Sequence, residues 1–261
     1  MNFLNGTGQR LARHLSEPRA ENAEASTSPP EKLSASLKAG DVLLIAGNSR
    51  FSTAIKYLTQ SSWSHATLYV GDTLGPATKE GEAQVLIEAD VNEGVRAVPL
   101  SDYSGSHTRI CRPVGLSDNE IKNLCDYAIA RIGQRYDLKN VIDLARYLIP
   151  TPLLPIRWRR RLLALGSGDP TRAICSSLIA QAFQSIGYPI LPEINIEKST
   201  DPNCLKCYKE TLHIRHHSLF TPRDFDVSPY FQIIKPTIEK GFDPSSLKWE
   251  QGTEPEAEVL L

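Results

Sequence analysis

Residues 172–189 read Arg-Ala-Ile-Cys175-Ser-Ser-Leu-Ile-Ala-Gln-Ala-Phe-Gln-Ser-Ile-Gly187-Tyr-Pro189. Leu178, Ile179, Ala182, Phe183 and Ile186 recur at spacings of three and four, which predicts an amphipathic helix stopped by Gly187 and Pro189. Cys175 therefore falls in the first turn. Unpaired backbone N–H groups and the positive end of the helix dipole favour thiolate over thiol there, and the thiolate is the nucleophile. On position alone, a buried packing thiol is the competing reading.

The chain has 261 residues, 41% of them hydrophobic and 23% charged, enough for one generous domain or two small ones with an ordinary core. A net charge of -1 lacks the basic excess of a general nucleic-acid binder. Five cysteines are odd in number and sparse, so no disulfide scaffold is implied and a reducing compartment fits. The opening residues MNFLNGTGQRLARHL hold no continuous apolar core of a secretory signal, and no stretch reaches the ~18 apolar residues of a membrane span. The expectation is a cytoplasmic protein.

Residues 1–36 are polar and rich in Ala, Glu, Ser and Pro, which predicts a disordered tail; residues 241–261 predict a second, acidic and flexible one. Residues 37–240 carry the pattern of a folded domain. Asp41–Ala46 reads as a buried strand and Phe51–Thr59 as a short helix. Strands follow at Ala66–Val70, Val85–Ala89, Val95–Pro99 and Thr108–Arg112. Ser117 with Glu120 forms a capping box that opens a helix to about Ile132, a second helix covers Leu138–Leu148, and Phe231–Ile234 is a last strand. Strands running together and then helices define an α+β domain with one sheet.

A nucleophilic cysteine needs a base, and the base an orienting partner. His65 opens the strand His-Ala-Thr-Leu-Tyr, whose alternation puts His65, Thr67 and Tyr69 on one face and Ala66, Leu68 and Val70 on the other. With the apolar set turned to the covering layer, His65 stands at the mouth of the strand; a partly exposed strand-end histidine is the plain alternative. Glu88 lies on the following strand, where a carboxylate could fix the imidazole tautomer, or simply face solvent.

In order, the chain presents Gly40-Asp41-Val-Leu-Leu, Ser64-His65, Tyr69-Val70-Gly71, Ile87-Glu88-Ala89, Glu93-Gly94-Val95, Gly133-Gln-Arg-Tyr136-Asp137, Cys175-Ser-Ser-Leu178 and Thr221-Pro-Arg-Asp-Phe225. This order resembles the circularly permuted, YiiX-like branch of the NlpC-type papain-like cysteine hydrolases, over roughly residues 38–236. The resemblance implies a permuted papain-like α+β fold, a central antiparallel sheet packed by helices, with the histidine strand ahead of the cysteine helix. It also implies Cys175 as nucleophile, His65 as general base and acid, and Glu88 as the polar third residue. Tyr136 matches the tyrosine of a Gly-x-x-Tyr motif near the nucleophile and would polarise the substrate carbonyl; as a residue on its own it reads equally as an aromatic core side chain. Cofactors and metals are not implied. The expected activity is cleavage of an amide, peptide-type bond through an acyl-enzyme.

Two segments depart from such a core. Arg157, Trp158 and Arg159–Arg161 sit among leucines, which suits peripheral contact with an anionic membrane surface or a solvated basic helix packed by its leucines. The first of these leaves open a lipid or ester deacylase or acyltransferase, beside a binding module that keeps only the fold. Cys204 and Cys207, followed by His213, His216 and His217, are zinc-type ligands at a spacing too short for the familiar finger, which favours a surface loop of reduced thiols. His107 reads as a loop residue without a nameable partner. The partner expected is a peptide-type or acylated small molecule.

Overall fold

Val42–Ala46, five consecutive buried residues, form the middle of the molecule. A strand buried on both faces needs apolar side chains at every position, and Val-Leu-Leu-Ile-Ala supplies them. The structure, a computed structural model, describes residues 26, 28–75, 82–90, 93–135, 174–198 and 208–247, with the backbone alone for residues 174, 193–198 and 208–213.

In chain order the elements are α1 (Pro30–Ser36), β1 (Val42–Ala46), α2 (Arg50–Thr59), β2 (His65–Tyr69), β3 (Gln84–Asp90), β4 (Gly94–Pro99) and β5 (His107–Pro113). After them come α3 (Asp118–Ile129), α4 (Ile174–Ser185), β6 (Glu193–Lys198), β7 (Tyr208–His213), α5 (Pro222–Val227), β8 (Phe231–Ile234) and α6 (Pro236–Glu239). Six strands make one sheet in the order β4-β3-β2-β1-β5-β8, every neighbouring pair antiparallel. The fold is α+β, as the strand-then-helix order implied. The helix at Leu138–Leu148 lies outside the described residues.

Both faces of the sheet are covered. On one face α3 and α4 pack Leu124, Ala128, Leu178, Ile179, Ala182 and Phe183 against Val42, Leu44, Ala66, Leu68 and Ile87. On the other, Leu33 and Leu37 join Leu43, Ile45, Leu86, Val98, Ile110 and Ile234. The reading of residues 1–36 as a disordered tail is therefore corrected at its end. Pro30 starts a helix at the position where its missing N–H costs nothing, and Leu33 is buried. A buried ion pair secures this layer: Asp41 accepts from Arg112 Nε and Nη2, each at 2.8 Å, while Nη2 also donates to the Ser36 carbonyl at 2.7 Å.

Three further expectations change. The capping box holds, with Glu120 Oε2 accepting from the Ser117 N–H at 2.9 Å, but α3 stops at Ile129. It stops because the chain then turns to pair with β4: Gly133 N–H donates to the Val95 carbonyl and Val95 N–H to the Gln134 carbonyl, both at 2.8 Å. Gly94 makes that approach possible, since at φ +81° a Cβ would stand 2.3 Å from the Gln134 oxygen. Residues 208–213, expected in a loop, form β7 and pair with β6 in a separate hairpin; the alternating Glu-Ile-Asn-Ile-Glu of residues 193–197 was the available signal. His107 is no loop residue either. It opens β5 and stacks on Trp63 at 5.2 Å between ring centroids.

Candidate active site

The chain enters β2 through a tightly held turn. Ser64 N–H donates to the Ile45 carbonyl at 3.0 Å, and its Oγ accepts from Gly47 N–H at 2.9 Å. A Cβ on Gly47 would stand 2.3 Å from Ser52 Oγ and 2.9 Å from Ser64 Oγ, so glycine lets the end of β1 pass close to both the start of α2 and Ser64. Just upstream, the indole of Trp63 donates to Asp226 Oδ2 at 3.0 Å, and Arg109 donates to Oδ1 of the same carboxylate at 2.6 Å. Arg109 also lies over the Trp63 ring, 4.9 Å from its centroid. His65 follows this anchored stretch directly.

His65 joins two partners. Its Nε2 lies 2.6 Å from Glu88 Oε2, and the imidazole is also hydrogen-bonded to the Cys175 thiol. With Nε2 engaged by the carboxylate, Nδ1 is the nitrogen left for sulfur. Cys175 comes from the first turn of α4, which is buried on nearly every side through Phe183 and is held at its far end by Tyr188, Phe225 and Phe231. The sulfur is 3.9 Å from Ser176 Oγ and accepts from the Ala66 N–H.

Glu88 is 1% exposed, a position a carboxylate tolerates only when its charge is met. Register meets it. In the β3–β4 hairpin Glu88 stands directly opposite Arg96, whose Nε and Nη2 reach Oε1 at 2.8 and 2.7 Å. Oε2 accepts from Tyr103 O–H as well as contacting His65. Arg96 Nη1 in turn donates to Glu93 Oε2 at 3.0 Å. Neither Arg96 nor Tyr103 stood out in the sequence. For Arg96 the signal was present: Gly94 follows Glu88 by six positions, and antiparallel pairing of Asp90 with Gly94 brings Glu88 opposite Arg96.

The electrostatics follow from these contacts. Burial pushes the Glu88 carboxyl up, but His65, Tyr103 and Arg96 overcome it and hold the group down at about 2. Burial pushes the His65 imidazole down, and the charges of Cys175 and Glu88 raise it to about 10. For Cys175, burial raises the thiol, yet the imidazolium, the His65 hydrogen bond and the Ala66 N–H bring it below the ordinary thiol value. The arrangement thus favours the charged thiolate–imidazolium pair over the neutral one. The other described buried thiols behave oppositely: burial raises both Cys111 and Cys125.

Of the four residues named from the sequence, Cys175, His65 and Glu88 meet, and Tyr136 lies outside the described residues. So do Arg157–Arg161, Cys204 and Cys207. His213 ends β7, and His216 Nδ1 contacts Ser218 Oγ at 2.8 Å. Among the described residues no group of three His, Cys, Asp or Glu side chains gathers where a metal could sit, and no helix is long and apolar enough to cross a membrane.

An antiparallel sheet with its histidine strand ahead of the cysteine helix fits a papain-like enzyme of the cysteine hydrolase kind in permuted order. Residues 36–147 match the family described as permuted papain-like amidase enzyme, YaeF/YiiX, C92 family. The matched segment carries β1 to β5, His65 and Glu88, and ends before Cys175. Among solved structures, the crystal structure of metalloprotein yiiX from Escherichia coli O157:H7 is similar at 16% identity, with 76% of this chain and 96% of that chain covered and a TM-score of 0.44. Comparison with curated proteins gives no match.

Proposed function

We propose that the protein cleaves an amide, peptide-type bond through an acyl-enzyme, with Cys175 as nucleophile, His65 as general acid and base, and Glu88 as the group that orients His65. The observation that carries this reading is the imidazole of His65, hydrogen-bonded on one side to a thiol at a helix start and on the other to a buried carboxylate. The Cys175 thiolate attacks the acyl carbonyl. The carbonyl oxygen takes up the negative charge, for which the backbone N–H at the start of α4 is the available donor. As the tetrahedral adduct collapses, the imidazolium gives its proton to the leaving amine and the C–N bond breaks. Neutral His65 then draws a proton from water, whose oxygen attacks the thioester. Release of the acid restores the thiolate and the imidazolium.

The test is mass spectrometry of reactions quenched during turnover of a panel of peptide p-nitroanilides and acyl p-nitrophenyl esters. An acyl adduct should appear on the peptide carrying Cys175 and vanish in Cys175→Ala. Iodoacetamide should also label Cys175 faster than Cys111 or Cys125. No adduct together with equal labelling of the three thiols removes the reading.

A further inference from the structure

Glu88 has more partners than an orienting carboxylate needs. A carboxylate offers roughly four lone-pair sites. Two N–H groups of Arg96 converge on Oε1, and His65 Nε2 and Tyr103 O–H share Oε2, so all are in use. The contacts come from three separate elements: β2, β4 and the turn Leu100–Tyr103 that follows β4. Tyr103 also faces the imidazole itself, with its ring centroid 6.0 Å away and tilted.

We propose that Arg96 and Tyr103 are positioning residues of this site, clamping the Glu88 carboxylate from two sides so that Oε2 stays turned to His65 Nε2. The inference rests on the reading of Cys175 and His65 given above. A clamped carboxylate cannot swing away from the imidazole, and a saturated one cannot take the imidazole's proton. It acts as a fixed negative charge behind His65. Arg96 also cancels that charge toward the remaining acids of the neighbourhood, Asp90 at 4.0 Å and Glu93 at 3.0 Å from the guanidinium, and Asp102, which Arg96 and Glu88 both influence. Without Arg96, Glu88 would face these acids with His65 as its one cation. Every positive charge lost from the cluster makes a nearby thiol harder to ionise, and a carboxylate free to turn stabilises the imidazolium less. Both effects move Cys175 in the same direction, toward the thiol.

Alkylation of Cys175 by iodoacetamide, followed against pH at that residue by mass spectrometry, reads this without knowledge of the natural substrate. Arg96→Gln should move the midpoint up by about one pH unit and slow labelling on the acid limb below the midpoint roughly tenfold. Arg96→Lys, which returns the charge, should recover most of the midpoint. Tyr103→Phe, the loss of one hydroxyl, should slow labelling on the acid limb about threefold with the fold intact by circular dichroism. Profiles of Tyr103→Phe and of folded Arg96→Gln that superimpose on the wild type overturn the proposal; should Arg96→Gln not fold, Tyr103→Phe alone decides it. A wild-type Cys175 that titrates as an ordinary thiol counts against the proposed nucleophile instead, so the two failures are distinct.

Discussion

Cys175 and His65 belong to the two ends of a contact between sheet and helix: the thiol starts α4, the imidazole starts β2, and Ala66, next to the imidazole, donates its N–H to the sulfur. The thiol is therefore held by the same strand that carries its base. The pairing has consequences that can be measured.

The reactive pair should show a plateau in rate. Labelling of Cys175 rises as the thiol ionises, below the ordinary thiol value, and the hydrolytic rate falls again as His65 loses its proton near pH 10, when no acid remains for the leaving group. A rate profile still climbing through pH 10 would contradict it.

Stability should carry the mark of Glu88. Its carboxyl is depressed from about 4.5 to about 2, so its contribution is complete above the ordinary carboxyl value and disappears as the pH falls through 2. His65, raised instead, contributes fully below its ordinary value and loses that contribution as the pH climbs through about 10. In Glu88→Gln the acid-side loss should flatten, and urea unfolding at pH 7 should show a cost of about 2 kcal/mol from the lost charge-assisted bonds of Glu88 to Arg96 and His65. Unchanged acid sensitivity would locate the effect elsewhere.

Gly94→Ala tests the closure of β4 on the end of α3. A methyl group 2.3 Å from the Gln134 oxygen, on a backbone at φ +81°, forces the two segments apart and should cost about 2 kcal/mol or more in chemical denaturation. The neighbouring Gly133, with open space around its own Cβ direction, should be the milder alanine substitution, losing only the strain of its φ of +87°.

Leu33→Ala asks whether α1 is part of the folded unit. A leucine at 3% exposure against Leu43 and Ile110 should cost about 2–4 kcal/mol on truncation. A thermal midpoint equal to wild type would show that the helix contributes nothing to the domain.

The residues most legible in the sequence were those whose role is local. The Cys175 helix shows its period within twelve residues, the Ser117–Glu120 box shows its cap within four, and each strand of the sheet shows its composition. What escaped depends on register or on distance. Arg96 acquires meaning from the residue across the hairpin, Tyr103 from the way the following turn folds back, and His107 from Trp63, forty-four positions upstream. α1 was hidden by composition, because one buried leucine in a polar stretch leaves little trace. β6 shows only in the short alternation Glu-Ile-Asn-Ile-Glu of residues 193–197, and β7 in the strand it pairs with.

The clasp ahead of His65 joins segments that lie far apart along the chain. Asp226 reaches back 163 positions to the Trp63 indole and 117 to Arg109, so the segment that delivers the imidazole is secured by a part of the polypeptide synthesised well after it. A chain still emerging from the ribosome carries the histidine early and the thiol later, yet gains the clasp only once residue 226 is free to fold. A nascent chain, or one terminated before residue 226, would thus hold His65 without the clasp that secures the approach to its strand.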